Sequence, residues 1–134
     1  MSQERFIERQ EDVRQAVARL LEAIAQTETD LVRDGTIQRF EFSFELVWKT
    51  LKLFLERQGH EFGGPRSTLK KAFAEGLIST TEEADIWLQM LEDRNLTSHT
   101  YNQALAEKIY RNIVRDYAPL LEKISEKIQT LSWD

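Results

Sequence analysis

The sequence predicts an all-α protein, an antiparallel up-down four-helix bundle with one extra short helix. Helix breakers are scarce, with five glycines and two prolines in 134 residues. Apolar residues recur at threes and fours over long stretches, the period of a helix with one buried face. Capping residues, glycines and a proline fall between those stretches, where helices start and stop. A chain of this length can bury a core without disulfides. Its composition, 41% hydrophobic and 31% charged, is that of a globular protein. No internal repeat or low-complexity tract divides it, so residues 1–134 are expected to form a single helical domain.

The first helix is expected from Gln3 to about Gln26, with Phe6, Val13, Val17, Leu20, Leu21 and Ile24 on its apolar face. Thr27–Asp30 interrupts the pattern, and Asp34-Gly35-Thr36 reads as a further break or a helix start. The next helix is expected from about Thr36 to Gln58, stopping at Gly59, a residue suited to the left-handed position after a helix. It carries one stripe of Phe40, Phe44, Val47, Trp48, Leu51, Phe54 and Leu55 and the start of a second in Phe42, Leu46 and Leu53. A helix apolar on two sides is central in its bundle or partly buried against another chain. His60–Gly64 reads as a loop. Pro65 then suits the first position of a short helix over Arg66–Glu75, closed by Gly76. Ser79 with Glu82, or Thr80 with Glu83, supplies a capping box for the fourth helix. The last helical region is expected from Gln103 to about Leu131, capped by Asn102 and kinked or divided by Pro119 after Tyr117.

Composition also narrows function. Cysteine is absent, so neither disulfides nor thiolate chemistry are available, which suits a reducing cytoplasm. The first residues are charged rather than leader-like, and no apolar run approaches the roughly 20 residues of a membrane helix. A net charge of −5 argues against broad, non-specific nucleic-acid binding and leaves room for a local basic site. Two separated histidines and no cysteine give little support to a metal site, and no cofactor is expected.

The segment richest in chemistry is Asp93-Arg94-Asn95-Leu96-Thr97-Ser98-His99-Thr100-Tyr101. Extending the stripe of Trp87 and Leu91 by helical steps reaches Arg94, then Ser98 and Tyr101. Polar groups thus replace apolar ones on a face directed at the core or an interface, and a buried arginine requires a partner. One reading is that the helix emerges into solvent there, with Arg94 paired to Glu92, Asp93 or another carboxylate. The other is a site. Asn95 and His99 are four residues apart, so the amide could orient the imidazole, and Arg94 lies seven residues before Tyr101.

Arg94-Asn95, His99-Thr100-Tyr101 resembles the R-x4-H-x-Y signature of HEPN (higher eukaryotes and prokaryotes nucleotide-binding) proteins. More closely, the chain resembles the bacterial nucleotidyltransferase substrate-binding protein group of that superfamily. The matching stretches are Asp34–Trp48, Pro65-Arg66-Ser67 and Asp93–Asn102, and the resemblance runs from about residue 5 to residue 130. It implies a HEPN-like helical bundle that forms a homodimer and is paired with a minimal nucleotidyltransferase. In related toxin–antitoxin pairs the HEPN protein is a metal-independent endoribonuclease that its partner silences by AMPylation of the motif tyrosine. Carried over, Arg94, Asn95 and His99 are the catalytic residues and Tyr101 the modified one. The group's older description, a non-catalytic subunit that binds substrate or nucleotide for the nucleotidyltransferase, stands as the alternative. A third reading is a bundle with structural interactions only.

A second candidate is the start of the short helix, where Arg66, Ser67, Lys70 and Lys71 surround free N–H groups suited to phosphate or nucleotide. Its alternative is a solvated basic face, and its glycine spacing does not match a Walker loop. Glu41 and Glu45 share a helix face, and the sequence assigns them no acid–base role.

Overall fold

The computed structural model describes residues 2–60 and 63–134. The helices are α1 (Ser2–Ile24), α2 (Asp30–Arg57), α3 (Pro65–Ala74), α4 (Thr81–Leu96), α5 (Gln103–Asn112) and α6 (Ala118–Thr130). A 3₁₀ turn over Thr97–His99 follows α4, and a π-helical segment over Ile113–Tyr117 joins α5 to α6. The expected loop at His60–Gly64 includes Glu61 and Phe62, which lie outside the described residues.

Local signals set most boundaries. Thr80 accepts from the Glu83 N–H, and Glu83 reaches back to the Ser79 N–H, so the Thr80/Glu83 reading of the capping box holds. Gly59 and Gly76 take φ of 92° and 81°. Each closes its helix with the paired bonds of a Schellman turn, His60 N–H to the Leu55 carbonyl and Leu77 N–H to the Ala72 carbonyl.

The expected start of the second helix at Thr36 is corrected. Thr29 is the N-cap, its hydroxyl accepting from the Val32 N–H at 3.0 Å, and α2 runs straight through Gly35. Arg33 adds ion pairs to Glu28 and Asp30 across the first turn. A cap and a paired first turn outweigh the roughly 1 kcal/mol cost of one glycine inside a helix.

α1 and α4 run one way through the bundle, α2 and the α5–α6 rod the other. Phe6 near the start of α1 packs on Phe54 near the end of α2 and on Trp133 beyond α6. Glu83 of α4 pairs with Lys123 of α6, while Asp93, three turns later, meets Tyr117. α2 touches every other helix, which accounts for its long apolar face. Phe40, Phe44, Val47, Leu51 and Leu55 are fully buried. The hydroxyls of Thr36, Ser43 and Thr50 are also buried and donate to carbonyls one turn back. The second stripe is only partly covered, and Phe42 remains 53% exposed. Among the described residues no helix is long and apolar enough to cross a membrane.

A Cβ at Gly35 would meet nothing within 4 Å, and its φ is not positive. Gly35→Ala should therefore raise unfolding stability by about 0.5–1 kcal/mol in urea titration. An unchanged or lower midpoint would mean that α2 needs glycine there for another reason.

Candidate functional site

Two consecutive residues in the last turn of α4 are anchored in different directions. Asp93 is buried and accepts from Tyr117 Oη at 2.5 Å and from Asn112 Nδ2 at 3.0 Å. Asn112 and Tyr117 are five residues apart, which on an α-helix separates them by about 140°. Pro119 has no N–H for the carbonyl four residues back, and the chain widens here into i→i−5 bonding, with Ala118 N–H on the Ile113 carbonyl. The wider turn brings both donors to one carboxylate. Burial, and then the bond to Asp93, pushes the Tyr117 phenol well above its usual range.

Arg94 points toward α2. Its Nη2 lies 3.1 Å from Glu45 Oε1, its Nη1 3.7 Å from Glu41 Oε2, and Nη1 reaches Thr97 Oγ1 at 3.4 Å. The Glu45 carboxylate also accepts from Trp48 Nε1 at 2.7 Å. Arg94 Nε is buried and has no partner among the described residues. Of the partners the sequence allowed, Arg94 takes another carboxylate, the Glu41/Glu45 pair of α2, rather than Glu92 or Asp93.

α4 ends at Leu96, so Tyr101 does not continue the Arg94 stripe as helical spacing suggested. The chain instead turns through Thr97–His99, held by Thr97 Oγ1 on the Arg94 carbonyl and Thr100 Oγ1 on the Thr97 carbonyl. Asn102 then caps α5, accepting from the Leu105 N–H. This short, doubly pinned turn carries His99 and Tyr101, whose rings meet edge to face at 6.2 Å. His99 is exposed and Tyr101 is 86% exposed. Asn95 is exposed as well, and no hydrogen bond joins it to His99 among the described residues. The structure therefore brings His99 and Tyr101 together, places Arg94 in the last turn of α4 before them, and gives Asn95 no hydrogen bond to either among the described residues.

α3 lies beside α2 and the N-terminal half of α4. Ser67 and Thr68 donate to the Gly64 carbonyl, and Arg66 and Lys70 face solvent. No hydrogen bond or ion pair among the described residues links Arg66, Ser67, Lys70 or Lys71 to the His99 turn. A separate groove of about 460 Å³ runs between α1 and α2, lined by Phe42, Leu46, Arg19, Arg39 and Glu45 among others. Glu45 reaches both this groove and Arg94. No cluster of three or more metal-capable side chains occurs among the described residues.

The family model described as nucleotidyltransferase substrate binding protein like matches residues 8–130. The chain belongs to this family. Its place in the HEPN superfamily, implied by the motif, is supported by a relative from Haemophilus influenzae described as a probable ribonuclease, HepT. The two are 32% identical over 108 residues, covering 75% of this chain and 72% of the relative. A crystal structure of a Thermus thermophilus protein shares 39% identity and superposes with a TM-score of 0.79, covering 87% of this chain and 98% of the other. For this HEPN family member, Glu41, Glu45, Asn112 and Tyr117 join Asp93 of the motif segment in completing the surroundings of the motif, and those four were not singled out for that role from sequence.

The neutral, buried Tyr117 gives a pH signature. Its pKa is raised in the fold, so its contribution is fully present below the unfolded value of about 10 and is lost as pH rises toward the folded value. Above about pH 10, stability should fall with an extra slope of roughly 1.4 kcal/mol per pH unit that Tyr117→Phe lacks. Identical alkaline slopes for the two proteins would contradict this.

Proposed function

We propose that this HEPN protein is a toxin-type, metal-independent endoribonuclease that acts as a homodimer in the cytoplasm and is controlled by AMPylation of Tyr101. The observation that carries the reading is the exposed, edge-to-face His99–Tyr101 pair on a pinned turn directly after Arg94. The relative described as a probable ribonuclease supports the same chemistry.

In this reading Arg94 holds the scissile phosphate through its two-nitrogen fork and stabilises charge developing on it. One His99 removes the proton from the 2′-hydroxyl, whose oxygen attacks phosphorus. An acid protonates the departing 5′-oxygen, leaving a 2′,3′-cyclic phosphate and a 5′-hydroxyl. One subunit offers a single histidine to this site, because His60, just after α2, is paired at 2.6 Å with Glu75 at the C-terminal end of α3. A two-fold dimer would bring a second His99 and Arg94 into one cleft. A minimal nucleotidyltransferase then transfers AMP from ATP to Tyr101 Oη, with pyrophosphate leaving. The new phosphate and nucleoside beside His99 block substrate.

The second reading is a non-catalytic subunit that binds substrate or nucleotide for the nucleotidyltransferase. It is favoured by the family's description and by the two carboxylates flanking Arg94, which offset its charge toward phosphate.

RNA cleavage by the purified protein in EDTA separates the two. The ribonuclease reading expects cleavage that His99→Ala lowers by about 10²–10⁴-fold, the usual weight of a general acid or base. Activity should also vanish on AMPylation of Tyr101. Protein confirmed free of AMP by intact mass, yet inert toward RNA, would transfer the conclusion to the binding subunit.

A further inference from the structure

We infer that Glu45, itself pinned by Trp48, is the positioning residue that aims the Arg94 guanidinium at substrate phosphate. The inference rests on the phosphate-binding role of Arg94 in the proposed function. Arg94 alone is a poor anchor. Its side chain is 28% exposed and comes from the final turn of α4. Its contacts to Glu41 at 3.7 Å and Thr97 at 3.4 Å are long, and its Nε has no acceptor among the described residues. Its shortest contact to a charged group is the ion pair with Glu45, Nη2 to Oε1 at 3.1 Å.

Glu45 is suited to that task because its other oxygen is occupied. Trp48 Nε1 donates to Oε2 at 2.7 Å, and Lys49 Nζ stands 3.9 Å from the same atom. The indole is one turn along α2 and half-buried against the core, so the relay Trp48–Glu45–Arg94 ties a mobile cation to the most buried helix of the bundle. A functional group held by a second, fixed shell keeps its geometry when substrate arrives. Glu41, loosely placed and with no second partner among the described residues, lacks such support.

The direction of the effect separates this role from simple charge balance. Removing a carboxylate beside an arginine should by electrostatics alone strengthen phosphate binding. If Glu45 positions Arg94, removal weakens it.

The experiment measures binding of a 2′-O-methyl oligoribonucleotide, which presents phosphodiesters but no nucleophile, to the full chain. Glu45→Ala should bind about tenfold more weakly. Glu45→Gln, which can serve Arg94 or the indole but not both, should fall between Ala and parent. Trp48→Phe should also weaken binding. The Arg94 Nε–H NMR signal should be sharp in the parent and broadened by solvent exchange in Glu45→Ala, a readout independent of activity. Equal or tighter binding by Glu45→Ala would overturn the inference, as would a parent that does not bind the oligonucleotide. Parent protein that binds it but leaves unmodified RNA intact would instead count against the ribonuclease reading and leave the Glu45 result intact.

Discussion

The buried carboxylate of Asp93 is the interaction on which the end of α4 depends. A buried acidic group is tolerated only where it is hydrogen-bonded, and here Tyr117 and Asn112 both donate to Asp93 Oδ2. Those donors come together because the rod from α5 to α6 widens by one residue ahead of Pro119. The kink, often a defect in a helix, thus has a definite consequence. It fixes α4 against α5–α6 at the point where the chain must turn.

With Asp93 held on one side, Arg94 is committed to the other, where α2 offers Glu45 and Glu41. α4 stops at Leu96, and the Thr97 and Thr100 hydroxyls close the turn that carries His99 and Tyr101 in solvent. The site is therefore a product of three elements: the α4 terminus, the face of α2 flanking its buried stripe, and the π segment. In the proposed function, Arg94 gives an acidic chain one defined anion-binding point without a general basic surface, and any affinity for RNA should be local and sensitive to salt.

Much of this was legible in the sequence. Period and punctuation located the helices, the glycine stops after α2 and α3, the Thr80/Glu83 cap and the break near Pro119. The motif residues stood out because Arg94 interrupts an apolar stripe. What was not legible depended on tertiary geometry. Gly35 reads as a break because a lone glycine looks like one, whereas the Thr29 cap and the Arg33 ion pairs carry the helix through it. Extending the α4 stripe to Tyr101 failed because the Thr97 hydroxyl bonds back to the Arg94 carbonyl and the helix stops at Leu96. Asp93 read as one possible surface partner for Arg94 beside Glu92 or another carboxylate, since nothing local reveals that a widened turn about 20 residues later will bring two donors to it. Glu41 and Glu45 did share a helix face beside the core stripe, and that spacing was the available signal for a carboxylate pair awaiting a cation.

The most direct test of the central claim, that the pinned turn after α4 is where this family member meets nucleic acid, is amide chemical-shift mapping with a non-cleavable oligoribonucleotide. The account predicts saturable, salt-sensitive shifts concentrated at residues 94–101 and at Glu41 and Glu45. Shifts centred instead on Arg66, Ser67, Lys70 and Lys71 of α3, or on the groove between α1 and α2, would contradict it.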